Sequence, residues 1–299
     1  MSYYWISLPH IDSVSAIDMP KNRFHIHQIY YDKPTASMLD PGFFPLDNTS
    51  NPRPDWFEFW VILKYLSSHS LEKNCWYAFL SPKFKQKTGL SSENLFEFLS
   101  AADQEGHDVA IATPAWDQIY FFRNVFEQGE YVHPGLIDLS QKFLSHQKID
   151  LDLGELVTHS QNSVFSNFII AKPQYWSKWL DLAKDFYDLI ESRSNVFSVK
   201  ANTNTSYHST HYVAPMKTFI QERFPSILLS TSDFFVANLD LSTHLPINHK
   251  LFNIDSITHE KLLLCDLLKR RYSEVGDPSL LKNYYQLRNQ ISINTNPFN

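Results

Sequence analysis

The sequence predicts an α/β protein: a mainly parallel sheet flanked by helices, with a helical appendage towards the C-terminal end. Three observations predict it. Short runs rich in β formers alternate with longer segments of helical periodicity. The most apolar run, Trp76–Leu80 (WYAFL), is continuous, as expected of a strand covered on both faces. Proline and small polar residues punctuate the helix starts, as at Pro114, Pro134 and Pro173. Hydrophobic residues make up 43% of the 299-residue chain, enough for a packed core.

Taken in order, Phe24–Tyr31 (FHIHQIYY) alternates and reads as a strand. The Pro- and Asn-rich stretch Asp40–Pro54 reads as a loop. Asp55 then caps a helix with Phe57, Trp60, Val61, Leu63 and Leu66 at helical spacing. Trp76–Leu80, closed by Ser81-Pro82, is a buried strand, and Ser91 caps a helix through Leu95, Phe98 and Leu99. Asp108–Thr113 (DVAIAT) is a strand. Pro114 opens a helix to Gln128, with Gly129 in the stop position, and Pro134 opens another through Phe143. Val164–Ala171 is a strand, and Pro173 starts the longest helix, with Trp176, Trp179, Phe186 and Ile190 on its apolar stripe. The polar stretch Asn195–Ser209 reads as a mobile loop. Helices near Ala214–Phe224, over Ser256–Tyr272 and over Ser279–Asn289 complete the chain. The division expected is a sheet domain over residues 1–240 and a helical appendage over 241–299, packed on it.

Composition excludes several functions. The net charge is −6 with no long basic run, which argues against nucleic acid, whereas a nucleoside diphosphate needs only a few local cations. Only 7 glycines are present, and neither GxGxxG nor GxxxxGK[ST] occurs, so a Rossmann dinucleotide site or P-loop of the usual kind is not expected. Cys75 and Cys265 match no zinc or redox spacing and fit a reducing compartment. Met1–His10 carries no basic and apolar leader pattern, and no run approaches the ~20 apolar residues of a membrane span. The expectation is a soluble, cytoplasmic protein, with peripheral membrane association left open.

Several residues are candidates for chemistry, each with a structural alternative. His25 and His27 share a strand face, a metal-compatible spacing, but no second ligand pair matches it, and satisfying buried backbone is the simpler role. Arg53 and Asp55 enter a helix after a loop, where anions bind well; otherwise Asp55 is an ordinary cap and Arg53 a surface residue. Lys83 and Lys85 follow a buried strand, where α/β sheets open their ligand crevice. Asp117, Glu127, Glu130 and His133 sit in and after one helix, where a carboxylate beside a histidine suits general base work, or where all are exposed helix charges.

The order of these motifs adds a resemblance. His27-Gln28-Ile29-Tyr30 is similar to the strand opening of glycosyltransferase family 32-like enzymes, and Arg53-Pro54-Asp55 resembles their nucleotide-contacting stretch. A closer resemblance is to the DUF4422 family of bacterial capsule and exopolysaccharide domains, which has GT-A-like character. It rests on Trp76–Phe84 followed by Asp108–Pro114, on Phe165–Lys172 with Trp176 and Leu180 beyond, and on Ala214–Phe224. It spans roughly residues 24 to 230 in order.

The resemblance implies a GT-A-like nucleotide-sugar domain that moves a sugar from a nucleotide-sugar donor to a glycan or lipid-linked acceptor in surface-polysaccharide assembly. His27, Gln28, Arg53, Asp55 and Lys83 would hold the nucleotide, and Asn167, His133 and Trp116 the sugar, with Tyr131 a second stacking ring. Asp117, Glu127, Glu130 or Glu222 would supply the base. Ser81-Pro82-Lys83 stands where the related scaffold carries its metal-binding Asp-x-Asp. The expectation is therefore no cofactor, with Mn²⁺ or Mg²⁺ left open, and with Lys83 and Lys85 stabilising the departing diphosphate in place of a metal. A non-catalytic glycan- or nucleotide-binding protein on the same scaffold is the alternative, and a hydrolase using Glu130 and His133 a third.

Overall fold

The structure, a computed structural model, describes residues 23–207 and 209–294. The first half runs β1 (Phe24–Tyr30), α1 (Lys33–Ala36), β2 (Phe44–Asp47), α2 (Phe57–Ser68), β3 (Trp76–Leu80), α3 (Phe84–Thr88), α4 (Ser92–Gln104), β4 (Val109–Ile111), α5 (Trp116–Phe121), α6 (Val125–Val132) and α7 (Leu136–His146). The second runs β5 (Ile169–Ala171), α8 (Pro173–Ser192), α9 (Val196–Ala201), β6 (Asn204–Tyr207), β7 (Ser209–Pro215), α10 (Met216–Gln221), α11 (Phe224–Thr231), β8 (Val236–Asn238), α12 (Thr258–Val275) and α13 (Pro278–Arg288).

Six strands form one sheet in the order β2-β1-β3-β5-β4-β8, and β6 and β7 pair as a separate hairpin. Sheet neighbours run parallel except β5, which is antiparallel to both β3 and β4. The α/β expectation therefore holds. Strand alternation divides the side chains between two cores. Ile29, Tyr77, Phe79, Val109 and Ile111 face α2, α7, α8, α10 and α11. Ile26, Trp76, Ala78, Leu80 and Ala110 face α4, α5, α12 and α13. Every residue of β3 is buried, which explains its unbroken apolar run.

The C-terminal helices α12 and α13 pack into the second core. The buried Lys269 ammonium of α12 donates to the carbonyls of Ile119 and Phe122, and the Tyr284 hydroxyl of α13 donates to the Phe121 carbonyl (2.6 Å). Their target is the break between α5 and α6. That break is itself a departure from the single helix expected over 114–128: Asn124 interrupts it by accepting from the N–H groups of Phe126 and Glu127 as a new N-cap.

Gly129 consequently lies inside α6 and does not end it. A Cβ at this position would sit 2.3 Å from Leu136 Cδ2 and 2.4 Å from an Arg223 guanidinium nitrogen. The glycine makes room for a buried arginine. Gly129→Ala is expected to destabilise the fold by about 1–3 kcal/mol through overpacking, although alanine is the better helix former. A denaturant midpoint at or above that of the wild type would contradict this account of the glycine.

Two further expectations are corrected. β2 lies within the stretch read as a loop, and Asn195–Ser209 carries α9 and β6. The reading of Met1–His10 falls outside the described residues. Among the described residues, no helix is long and apolar enough to cross a membrane.

Candidate functional site

The five parallel strands end at one edge of the sheet, and β5 begins there because it runs the other way. Open α/β sheets bind ligands outside this carboxyl edge. Backbone strain marks the same place. Asn51 (φ 29°) and Phe57 (φ 49°) lie between β2 and the start of α2, and Ser166 (φ 59°) and Asn167 (φ 55°) lead into β5. Left-handed conformations at non-glycine residues cost of order 1–3 kcal/mol each and collect where function requires a fixed geometry.

The first cluster at this edge is built on Arg53 and Asp55. Asp55 does not cap α2: it lies in a 3-10 turn, Pro54–Trp56, and Trp56 takes the N-cap position without a side-chain bond. The Asp55 carboxylate instead receives two hydrogen bonds from Arg53 (both 3.1 Å) and one from Lys217 of α10 (2.5 Å). Glu191, near the end of α8, accepts from Arg53 (2.7 Å) and from the Trp56 indole (3.0 Å). Tyr187 accepts a further Arg53 hydrogen bond, and the Lys217 ammonium lies 4.3 Å from the centre of the Trp56 ring.

Two cations thus face two carboxylates. Burial works against both carboxylates, but Arg53 and Lys217 outweigh it at Asp55, and Arg53 and Trp56 outweigh it at Glu191, so both pKa values fall. Burial lowers that of Lys217, which is only 1% exposed. The hydrogen bonds of Asp55 and Glu191 raise that of Arg53 despite burial.

A second cluster joins α3, the start of β5 and the end of α10. Lys87 donates to Ser166 Oγ (3.1 Å) and stands 5.6 Å from the centre of the Phe168 ring. Glu222, half-buried just beyond α10, feels Arg223, Lys87 and Glu58. Burial pushes its carboxyl pKa up to about 7, with Arg223 and Lys87 pulling the other way. Beside Ser166, the Asn167 carboxamide makes no hydrogen bond among the described residues. Lys83 and Lys85 are exposed on the same segment.

Arg223 supports this cluster from below. Its buried guanidinium donates to the Val125 carbonyl (2.8 Å), the Phe219 carbonyl (2.6 Å) and Gln128 Oε1 (2.9 Å). Burial lowers its pKa to about 10. Gln28 has a comparable supporting role: its side chain donates to the Ser81 and Pro82 carbonyls (3.4 and 3.2 Å) and accepts from Asp40 N–H (2.7 Å). It therefore holds the loop that carries Lys83.

The other expected site residues are engaged elsewhere. His27 lies inside the sheet layer, stacked on Phe79 (5.5 Å) and against Tyr65, and its pKa falls to about 4 through burial and then through His25 and His69. Asp117 is buried and accepts from the N–H groups of Gln118 (2.8 Å) and Asn248 (2.6 Å), while burial raises its pKa. Trp116 is also buried and donates to the Leu245 carbonyl, which leaves no face for a sugar. Tyr131 keeps more exposure but donates its hydroxyl to the Asn294 carbonyl.

Glu127 accepts from Arg123 N–H (2.6 Å) and pairs with Arg288 (2.9 Å), tying α13 to α6. Glu130 accepts from the N–H groups of Gly135 and Ile137, thereby capping α7. His133 is buried and stacked on Phe219 at 3.6 Å. Asp117, Glu127 and Glu130 are thus each held by structural hydrogen bonds or an ion pair.

Lys87, Ser166, Glu191 and Lys217 escape the sequence reading because their partners lie far along the chain. The Asp55–Lys217 pair spans 162 residues. One signal was present: Lys217 is a lone cation in MKTFIQ, an otherwise uncharged segment directly before Glu222-Arg223. Comparison with protein-family models, with curated proteins and with solved structures finds no match.

Proposed function

We propose that this chain is a cytoplasmic glycosyltransferase that moves a sugar from a nucleotide-sugar donor to a glycan or lipid-linked acceptor in bacterial surface-polysaccharide assembly. What carries the reading is Glu222, a carboxyl whose pKa burial raises to about 7 and on which Arg223 and Lys87 act electrostatically. A base whose pKa lies near the working pH suits removal of the acceptor hydroxyl proton. The acceptor oxygen attacks the anomeric carbon as Glu222 takes that proton. The bond to the nucleoside diphosphate breaks with inversion, and the diphosphate leaves with the electron pair.

Lys83, Lys85 and Lys87 then stabilise the diphosphate electrostatically. In this reading they stand in for the Asp-x-Asp metal, so turnover requires neither Mn²⁺ nor Mg²⁺. Asn167 donates to a sugar hydroxyl, and the Arg53–Asp55 cluster borders the nucleotide. One observation favours the second reading, a non-catalytic nucleotide- or glycan-binding protein: Arg53 and Asp55 already satisfy each other and Glu191.

A thermal-shift series with UDP, GDP, CMP, TDP and their common sugars, with and without Mn²⁺, tests the site. One nucleotide class is expected to raise the unfolding midpoint, equally well without Mn²⁺, by about 2.7 kcal/mol of stabilisation at a hundredfold excess over its Kd. Lys87→Ala is expected to diminish that shift. No shift with any nucleotide or nucleotide sugar would contradict the transferase reading, whereas a shift without sugar transfer would establish the second.

A further inference from the structure

We infer that His25, Glu72 and Cys75 form a zinc(II) site, with one coordination position left for water, at the sheet edge opposite the crevice. An imidazole nitrogen of His25, a Glu72 carboxylate oxygen and the Cys75 sulfur lie within 4.8 Å of one another. The topology gathers them. His25 lies opposite Tyr77 in the β1–β3 register, and Cys75 precedes β3 on the face that carries Tyr77 and Phe79. Glu72 belongs to the connection between α2 and β3.

The geometry is prepared on the histidine side. The His25 ring stacks on Tyr77 at 4.8 Å and 9°, which fixes its orientation. The Tyr77 hydroxyl accepts the Glu72 N–H (2.8 Å), so the same tyrosine holds both the ring and the acidic residue. His25 Nε2 is sealed from solvent with no hydrogen-bond partner among the described residues. Leaving a buried polar nitrogen without a partner is costly, and a metal ion is one group that uses its lone pair.

The donor set selects the ion. One imidazole, one thiolate and one carboxylate suit borderline-soft Zn²⁺ better than Mg²⁺, Mn²⁺ or Ca²⁺, which prefer oxygen alone. Zinc bonds of about 2.0–2.3 Å in a tetrahedron bring ligand atoms to within roughly 3.3–3.8 Å of each other. Sγ of Cys75 and Oε2 of Glu72 stand at 4.0 Å, and Glu72 is exposed and free to close the remaining gap. A bound ion ties the α2–β3 connection to β1. This site is separate from the lysines of the crevice, so its test does not depend on the transferase reading.

The test uses the full chain, freed of metal by dialysis against chelator and titrated with Zn²⁺ in competition with a chromophoric zinc indicator. The wild type is expected to bind one Zn²⁺ per chain, and Glu72→Gln, His25→Gln and Cys75→Ser each to weaken binding at least about tenfold. Co²⁺ is the spectroscopic probe. The wild type is expected to show a thiolate-to-cobalt charge-transfer band that Cys75→Ser abolishes, which separates this site from adventitious histidine binding. Glu72 is exposed, so its variant reports on binding with the fold intact, checked by circular dichroism. Zinc affinity unchanged in both Glu72→Gln and Cys75→Ser, or no thiolate band in the folded wild type, overturns the assignment.

Discussion

Glu222→Gln is expected to lower sugar transfer by about 10²–10⁴-fold, the usual contribution of a positioned general base, while nucleotide still raises the unfolding midpoint. The variant keeps the size and hydrogen-bonding capacity of the side chain and removes only its ability to accept a proton. In the wild type, kcat/KM is expected to fall as the pH drops below about 7, where burial keeps Glu222 protonated. The same shift links stability to pH. The folded-state pKa lies above the unfolded glutamate value of about 4.3. Its stabilising contribution is therefore fully present below that value and is lost as the pH rises through about 7. Glutamine has no such proton to lose, so the melting temperature of the variant should gain on that of the wild type between pH 5 and pH 8. A parallel pair of melting curves across that range, together with an unchanged transfer rate, would remove Glu222 from the mechanism.

Arg223→Met is expected to destabilise the fold by about 3–5 kcal/mol, the largest stability effect foreseen here. Methionine fills much of the volume, but it strands the carbonyls of Val125 and Phe219 and the Gln128 side chain, all of which Arg223 now satisfies. It also removes the cation nearest in effect to Glu222, so the carboxyl pKa should rise further and the acidic limb of the pH–rate profile should move upward with it. Urea unfolding measures the first effect and the pH–rate profile the second. A loss below about 1 kcal/mol would show that the guanidinium network is not a structural support.

The sequence made the sheet's central strands legible and obscured its margins, for physical reasons. β3 declares itself because burial on both faces demands apolar or aromatic residues throughout, and β1 because its residues alternate between buried and half-buried positions. β2 does not, because an edge strand tolerates Pro45 and polar neighbours and so resembles a loop. β5 proved shorter than Val164–Ala171 because Ser166 and Asn167 turn left-handed before it, a conformation that no local pattern announced. Gly129 reads as a helix stop in the sequence because its reason for being there, Arg223, arrives in the fold from 94 residues later in the chain.

The candidate site divides in the same way. Arg53, Asp55, Lys83, Asn167 and Glu222 are readable as individual residues, and the first four follow β2 and β3 or precede β5 at the carboxyl edge. Glu127, Glu130, Asp117 and Trp116 were equally plausible in the sequence. Only the geometry shows that a salt bridge, a helix cap, a buried loop anchor and core packing occupy them.

The most direct measurement is the crystal structure of the full chain with the nucleotide that gives the largest thermal shift. The diphosphate is expected within hydrogen-bonding distance of Lys87 or Lys83, the nucleoside towards Arg53 and Asp55, and the sugar position between Asn167 and Glu222. Nucleotide bound at any other surface, with the carboxyl edge of the sheet empty, would contradict it.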